Sequence, residues 1–250
     1  MSNFLSEDEK NAVRSKVFYA AAKLFLERGY SNTTTRGLAE YAGVNVSAMN
    51  RHFGSKENIL CELIRYVMKG QFRTARELVK DATEDEVLYY AVETALQLYM
   101  AESEEAVRDL YVTVYSLPHA SQLIYREVSE LLLPKVFSAY LPEASPEAFY
   151  RMEIASGGII RGYLSLPCGP EFPVEQKVAH FLDAALRVYH VPEEKIREAI
   201  DFVSRYDFKT IAKQTVASMM EALEKRYDQF KSAHPAGQGD LLTIPKEESI

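Results

Sequence analysis

The residues best suited to binding chemistry lie between positions 45 and 56. Arg51 can donate two parallel hydrogen bonds to guanine, and Asn50 can form a bidentate pair with adenine. Lys56 offers a point charge that suits a phosphate group. Arg51 and Asn50 have the alternative of contacting the phosphate backbone or only solvent, because the same donors serve each purpose. These residue types indicate recognition of a nucleic acid.

The sequence contains few groups arranged for catalysis. It has no Gly-x-Ser-x-Gly nucleophile motif and no His-Glu-x-x-His metal motif, and Gly54-Ser55-Lys56 lacks the earlier glycine of a phosphate-binding loop. Cys61 and Cys168 are too few for a disulfide framework or a four-thiolate zinc site. His180 and Asp183 share a helical face, but two ligands are a weak indication of a metal. We therefore expect a protein that is not an enzyme and that uses no cofactor.

Charge is distributed unevenly along the chain. The whole sequence has a net charge of −7, yet residues 10–56 hold eight Lys and Arg residues against two Glu residues. This segment therefore carries +6, and the rest of the chain carries −13. A basic segment on an acidic body is typical of a protein whose N-terminal part contacts a polyanion. A chance cluster of solvated basic side chains is the alternative.

Composition places the chain among ordinary globular proteins. Of its 250 residues, 47% are hydrophobic and 26% are charged. The longest apolar run, residues 17–22, is far shorter than the roughly 20 residues that cross a membrane. The charged start, MSNFLSEDEK, lacks the pattern of a secretory signal. With only two cysteines, the sequence predicts a cytoplasmic protein that does not contact a membrane.

Helical spacing of apolar residues begins near the N-terminus, and the first four helices have recognisable ends. Side chains that accept hydrogen bonds from free backbone N–H groups mark the starts, and glycines mark the ends. The expected boundaries are Ser6 and Gly29 around the first helix, Thr34 or Thr35 and Gly43 around the second, Asn45 and residues 52–54 around the third, and Ser55 at the start of a long fourth.

The same spacing continues beyond residue 82, with proline and glycine marking the breaks. Pro134 lies inside one predicted helix and should kink or split it. We find no strand pattern, and the last twenty residues lack periodicity. The predicted helices are at about 84–102, 104–116, 118–140, 146–166, 173–190, 192–206 and 208–230.

Helices two and three form a helix-turn-helix, because each is short and Ala42-Gly43-Val44 joins them. The second helix of such a unit lies in the major groove of DNA. The unit is too small to fold alone, so the first and fourth helices must complete its core. The predicted fold is all-α, with a helix-turn-helix head over residues 1–56. A larger helical domain over 57–230 and a mobile tail over 231–250 follow.

The segment AAAKLFLERGYSNTTTRGLAEYAGVNVSAMNRHFGSKENIL resembles the DNA-binding region of the TetR family of transcriptional repressors. The resemblance covers residues 13–64. Thr35 stands where the family commonly has an apolar residue, and Gly37 replaces an acidic one. Val46, Ser47 and Asn50 stand where the family often has lysine, glycine and tyrosine. The matching features, in order, are Arg28-Gly29-Tyr30, Thr33-Thr34, Leu38-Ala39, Ala42-Gly43-Val44, His52-Phe53 and Ser55-Lys56-Glu57.

The resemblance and the physics of helix ends together nominate the residues that contact DNA. Lys56 and the free N–H groups at the start of the fourth helix would face one phosphate. Thr34 is favoured as a cap, with a phosphate contact as its second role. His52 is favoured as a residue packed against the turn. The expected DNA-binding residues are Thr34, Thr35, Arg36, Asn45, Val46, Ser47, Asn50, Arg51, His52 and Lys56.

The resemblance further implies a homodimer and a cavity for a small, largely apolar inducer in the C-terminal domain. The helices spanning about 146–190 correspond to the family's dimerisation pair, and Gly157, Gly158 and Gly162 would allow close helix contact, either across a dimer or within one subunit. The helices over 192–230 would extend the interface or cap the cavity. The candidate ligand-binding residues are Tyr111, Tyr115, His119 and Arg161. The tyrosines have core packing as an alternative, and Arg161 has an interface salt bridge with Glu153 or another acid.

These features together predict a repressor that binds a pseudo-palindromic operator as a homodimer and is released by its inducer. An architectural or cell-cycle DNA-binding dimer without an inducer is the alternative. Genome-wide binding separates the two, because a local repressor occupies few sites and an architectural protein occupies many.

Overall fold

The chain forms twelve α-helices over residues 7–233, the part that the computed structural model describes. The described residues contain no β-strand, only an isolated backbone pairing between Gly169 and Phe172. None of the described helices is long and apolar enough to cross a membrane. The helices are α1 (Glu7–Arg28), α2 (Thr35–Ala42), α3 (Val46–Phe53), α4 (Lys56–Val79), α5 (Glu86–Ser103), α6 (Glu105–Ser116), α7 (Pro118–Leu131), α8 (Leu133–Phe137), α9 (Pro146–Ser165), α10 (Val174–Val188), α11 (Glu193–Val203) and α12 (Phe208–Ala233).

The all-α prediction is confirmed, and most boundaries lie within three residues of those expected. One expected helix, 118–140, is two helices, α7 and α8, which meet at Leu132. Pro134 explains the split, because its ring removes an N–H and clashes with the preceding turn. The expected cap at Ser6 lies outside the described residues, as does the predicted tail from residue 234 onward. Helix α12 ends at Ala233, three residues later than expected.

Helices α1 to α4 form the N-terminal head around one apolar core. The glycine Gly43 ends α2 with φ of 64°, a left-handed conformation that glycine adopts without strain. Helix α4 begins in the head and continues without a break into the body, so the predicted domain boundary at residue 56 falls at its first turn. The fully or almost fully buried core residues include Phe18, Leu24, Phe25, Leu38, Met49, Phe53 and Leu60.

Helix α5 is the centre of the body. All residues from Val87 to Ala101 are buried, because α4, α6, α10, α11 and α12 pack around this helix. Glu102, at the end of α5, accepts a hydrogen bond from the fully buried Lys177 at 2.6 Å and another from Arg108 at 3.1 Å. This buried cluster links α5, α6 and α10, and its charges are paired as buried charges must be.

Helix α12 contacts both the body and the head, which the sequence did not indicate. Helix α12 runs along α5 and α4 and reaches α1 in the head. The Tyr66 hydroxyl donates to the Met219 carbonyl at 2.8 Å, and the rings of Tyr19 and Tyr227 stack with centroids 4.2 Å apart. Within this chain α12 therefore joins head to body, a role different from the two expected for it.

The glycines of α9 were expected to allow close helix contact either within one subunit or across a dimer, and the structure distinguishes them. A Cβ atom at Gly157 would overlap the ring of Tyr125 from α7, so this glycine serves packing within the subunit. A Cβ atom at Gly158 or Gly162 would meet nothing within 4 Å. The second pair therefore lies on open surface.

We predict that Gly157→Ala lowers the free energy of unfolding by about 1–3 kcal/mol, because the added methyl group must displace the Tyr125 ring. The matched variant Gly158→Ala adds the same methyl group in open space. It should leave stability unchanged or raise it by up to about 1 kcal/mol through helix propensity. Urea unfolding followed by circular dichroism measures both. Equal effects of the two substitutions would contradict this account of Gly157.

Candidate DNA-binding surface and effector cavity

Helix α3 buries one face and presents the other to solvent. Met49 and Phe53, one turn apart, lie in the head core. The buried stripe fixes the orientation of this eight-residue helix, so its outer face is a rigid recognition surface. The exposed residues on that face are Val46, Ser47, Asn50 and Arg51.

Two further candidates for DNA contact act as helix caps and are exposed. The Thr34 hydroxyl oxygen accepts a hydrogen bond from the Gly37 N–H at 3.0 Å, and the Asn45 side-chain oxygen accepts from the Ala48 N–H at 2.6 Å. Thr34 thus has the capping role that the sequence favoured. Because both caps sit at the N-termini of α2 and α3, they border the N–H groups that attract phosphate.

The remaining polar candidates on α2 and α3 differ in accessibility. Arg36 is exposed and donates to Glu40 at 3.0 Å, an ion pair one turn along α2. Such exposed pairs contribute little stability, so the guanidinium of Arg36 can exchange Glu40 for a phosphate at small cost. Thr35 and His52 are half-buried.

Lys56 is a structural tie as well as a candidate phosphate ligand. Its ammonium donates to the backbone carbonyls of Tyr30 at 3.0 Å and Thr33 at 2.9 Å, and lies 3.7 Å from the centre of the Tyr30 ring. Partial burial lowers the pKa of Lys56. Lys56 therefore anchors the loop between α1 and α2 to the start of α4, a role that the sequence did not reveal. An ammonium has three protons, so one donor remains beyond these two carbonyls.

The body holds the same loop from the other side. Asp109 on α6 accepts hydrogen bonds from the Ser31 N–H at 3.0 Å and the Ser31 hydroxyl at 2.8 Å. A Cβ atom at Gly29 would lie 2.7 Å from an Asp109 oxygen, so the close approach requires glycine. No sequence pattern signalled this contact, because its partners are 78 residues apart.

A cavity of about 40 Å³, partly open to solvent, lies within the body between α4, α5, α6, α7, α9 and α10. This space has room for about one or two water molecules and is far below the roughly 300–1,000 Å³ of small-molecule sites, so a ligand enters only if the lining side chains move apart. Half of its lining residues have polar side chains or titratable groups, which is a high share for such a site. Those polar residues are Gln71, Tyr90, Glu93, Thr94, Gln97, Tyr111, Tyr115, Glu153 and Ser156.

The polar lining forms two hydrogen-bonded groups, each with a buried glutamate. The Tyr111 hydroxyl donates to the Gln71 side-chain oxygen at 2.7 Å, and the Gln71 amide donates to Glu93. The Tyr189 hydroxyl donates to Glu153 at 2.8 Å. Burial raises the pKa of each glutamate to about 8, despite the opposing effect of these hydrogen bonds. Both glutamates are therefore mostly protonated at neutral pH.

The structure places two of the four candidate ligand residues in this cavity. Tyr111 and Tyr115 line it and are buried. His119 and Arg161 are exposed and are not among the lining residues. Arg161 donates to the Ser116 hydroxyl at 3.1 Å and forms no ion pair with the buried Glu153 of its own subunit. Arg161 and Glu153 are eight residues apart on α9, about 12 Å along the helix axis, so their side chains do not meet.

Sequence reasoning missed the polar residues that α5 contributes. Glu93 and Gln97 were overlooked because such side chains are usually exposed on a helix surface. A signal was available in EVLYYAVETALQLYM, which is apolar around the whole helix. A helix that is apolar all round is buried, so Glu93, Thr94 and Gln97 are buried with it.

The exposed face of α9 carries small and apolar residues together with Arg151 and Arg161. Ile154 is 43% exposed and Leu166 just beyond the helix is 67% exposed. Gly158 and Gly162 lie on open surface close to them. This surface can accept a second helix at short distance, because no side chain stands above the glycines.

Comparison with known proteins gives a consistent picture. Residues 18–63 match the family model described as "Bacterial regulatory proteins, tetR family". The chain is 29% identical to "HTH-type transcriptional repressor KstR2" of Mycobacterium tuberculosis over 154 residues, covering 61% of this chain and 70% of the relative. It is 26% identical to "Probable HTH-type transcriptional regulator YttP" of Bacillus subtilis over 175 residues, covering 67% of this chain and 75% of that protein.

A solved structure shares the fold. RolR, crystallised with its ligand resorcinol, has a TM-score of 0.59 and 13% identity, covering 79% of this chain and 95% of RolR. The two chains therefore share the same overall helical fold.

We predict that Lys56→Met lowers the free energy of unfolding by about 1.5–3 kcal/mol, because it removes hydrogen bonds from a charged donor to Tyr30 and Thr33. The matched variant Arg51→Met removes an exposed cation from the neighbouring helix and should change stability by no more than about 0.5 kcal/mol. Urea unfolding measures both. If Lys56→Met is as stable as the wild type, its ammonium does not anchor the loop.

We predict that Glu93→Gln stabilises the protein increasingly as pH rises. In the wild type, stability falls between the ordinary carboxyl pKa of 4.5 and about pH 8, because the unfolded chain ionises first. The slope is about 1.4 kcal/mol per pH unit for one group. Urea midpoints at pH 5 and pH 8 test this. The control is the substitution of an exposed glutamate, Glu104→Gln, whose urea midpoint should differ from the wild type by the same amount at pH 5 and pH 8. If the difference for Glu93→Gln is also the same at both pH values, burial does not raise the pKa of Glu93.

Proposed function

We propose that this chain, which belongs to the TetR family of bacterial regulatory proteins, is a transcriptional repressor that binds a pseudo-palindromic operator as a homodimer and releases it when a small molecule enters the body. The observation that carries the proposal is the physical connection between the two sites. Helices α4 and α6 both line the cavity and both hold the loop that precedes the helix-turn-helix.

In this proposal α3 enters the major groove and its exposed face reads bases. Arg51 is the candidate for guanine and Asn50 for adenine, since their donors and acceptors fit those base edges. Thr34, the start of α4 and the third proton of Lys56 bind phosphates on either side. Phosphate contacts fix the orientation of the head, and base contacts supply sequence specificity.

A dimer is needed because one head offers few base-reading side chains. The face of α9 with Ile154, Gly158 and Gly162 is the proposed interface, together with α10, within the expected range 146–190. Two heads related by a two-fold axis then meet half-sites about one helical turn, roughly 34 Å, apart. The operator is a pseudo-palindrome for the same reason.

Release by the ligand follows from the elements that the two sites share. Met68 and Gln71 of α4 and Tyr111 of α6 line the cavity, while Lys56 of α4 and Asp109 of α6 hold the loop. A ligand that shifts either helix changes the spacing of the heads. A tenfold loss of operator affinity requires about 1.4 kcal/mol of difference in ligand affinity between the two arrangements.

We predict that Arg51→Ala relaxes discrimination at one operator position by about 1–3 kcal/mol, as the loss of a bidentate base contact should. Selection from a random duplex library first gives the operator, and titration of single-base variants then measures discrimination. The control Arg197→Ala removes an exposed arginine from α11 and should leave every affinity unchanged. Uniform weakening by Arg51→Ala on all duplexes would assign it to the phosphate backbone. Failure to select any duplex would reject the proposed function.

We predict that Ile154→Glu converts the dimer to a monomer, because it replaces an apolar contact with a charge that must be desolvated when the two subunits pack together. The palindrome should then bind no more tightly than a single half-site. The matched control is Leu131→Glu on α7, since Leu131 and Ile154 are both 43% exposed. Light scattering gives the mass of each variant. A dimeric Ile154→Glu variant would place the interface elsewhere.

A further inference from the structure

The cavity holds two buried carboxyl groups and no basic side chain. Glu93 comes from α5 and Glu153 from α9, so the two groups enter from different helices. None of the residues that line the cavity is lysine, arginine or histidine. Each glutamate accepts one hydrogen bond from a neutral neighbour, Gln71 or Tyr189. The cavity therefore has capacity for negative charge and no protein group to balance it.

A half-buried carboxylate at the end of α5 has different partners. Glu102, two turns after Glu93 on α5, is paired with Lys177 and Arg108 and also accepts from the Cys168 N–H. These partners keep the pKa of Glu102 below its ordinary value despite its burial. Buried carboxylates that serve structure are paired with cations, because an unpaired buried charge is costly. The absence of a cation from the cavity lining is thus a property of that site.

We propose that the effector is an organic cation, an amine or quaternary ammonium with an apolar body, which ion-pairs with Glu93 and Glu153. This inference rests on the proposed function of the cavity as the effector site. It replaces the largely apolar inducer that the family resemblance implied. The positive charge of the ligand supplies the missing partner of the two carboxylates.

The rest of the lining fits such a ligand. The rings of Tyr90, Tyr111, Tyr115 and Phe181 can receive a cation on their faces, an attraction that strengthens away from water. Aliphatic residues line the cavity as well and can bury an apolar body once the lining side chains move apart, because the space between them is only about 40 Å³. They are Ile64, Ile124, Val128, Leu132 and Ile160.

Binding should be accompanied by loss of a proton. Both glutamates are mostly protonated in the empty site, and pairing with a cation lowers their pKa, so one carboxyl or both ionise. The proton passes to the buffer, and the ion pair remains. The titratable groups facing the two glutamates are Tyr89, Tyr90, Tyr111, Tyr115, Tyr125 and Tyr189, whose pKa values are all raised and which stay neutral.

Calorimetric titration of the free full-length protein at pH 7 tests the inference without DNA. The cationic probes are 2-phenylethylammonium and benzyltrimethylammonium, and the neutral probes are 2-phenylethanol and resorcinol. At least one cation should bind about tenfold or more tightly than 2-phenylethanol, a difference of about 1.4 kcal/mol. Titration in buffers of different ionisation enthalpy should show proton release for the cation only.

Substitution locates the binding. Glu93→Gln and Glu153→Gln should each weaken cation binding about tenfold and abolish part of the proton release, with 2-phenylethanol unaffected. Both variants remove a raised carboxyl pKa and should fold at least as stably as the wild type, which thermal unfolding checks. The exposed control Glu104→Gln should bind like the wild type.

Three results would overturn the inference: neutral probes that bind as tightly as the cations, cation binding that survives both substitutions, or no binding of either cation. Each is distinguishable from failure of the proposed function. If a cation binds at Glu93 and Glu153 but operator affinity is unchanged, the proposed release of DNA by a ligand is wrong and the cation site stands. If a neutral compound releases the operator, the proposed function stands and the inference of a cationic effector is wrong.

Discussion

The position of the DNA-binding surface depends on how the loop at residues 29–33 is held. Lys56 binds its carbonyls from α4, and Asp109 binds Ser31 from α6. The hydrogen bonds from Lys56 are partly buried and those to Asp109 are exposed and weaker, and together they tie the loop to both helices. Because α4 and α6 also line the cavity, a change in cavity shape and a change in head position are coupled through the same two rigid elements.

The carboxyl groups of α5 are neutralised in two different ways. Helix α5 is enclosed on all sides, yet it carries Glu93, Gln97 and Glu102. Glu102 is neutralised by Lys177, whose full burial is tolerated only because this partner is present. Glu93 is neutralised by a proton, which burial retains up to about pH 8. The ion pair between Glu102 and Lys177 is part of the fold and connects α5 to α10. The proton on Glu93, in contrast, can be replaced by the positive charge of a ligand.

Helix α12 adds a second restraint on the head. It packs on α5 and α4 and continues to α1, where Lys23 pairs with Glu224 at 2.6 Å and Tyr19 stacks on Tyr227. Gly70 in α4 lies against Met219, so the two helices approach closely. The head is thus held through α4, α6 and α12 together. Any movement of the head must be a concerted shift of packed helices, since densely packed interiors do not deform continuously.

The sequence by itself determined the local features, because their causes are local. Thr34, Asn45 and Ser55 cap the helices that their hydroxyl or amide groups predicted, Gly43 ends α2, and Pro134 splits α7 from α8. Only the tertiary structure decided which distant segments of the chain are in contact. It brought Asp109 to Ser31, sent α12 to the head, turned His119 and Arg161 to solvent, and enclosed Glu93 with Glu153. A hydrogen-bonding side chain carries no mark of its partner in the sequence, since burial and pairing depend on which helices pack together.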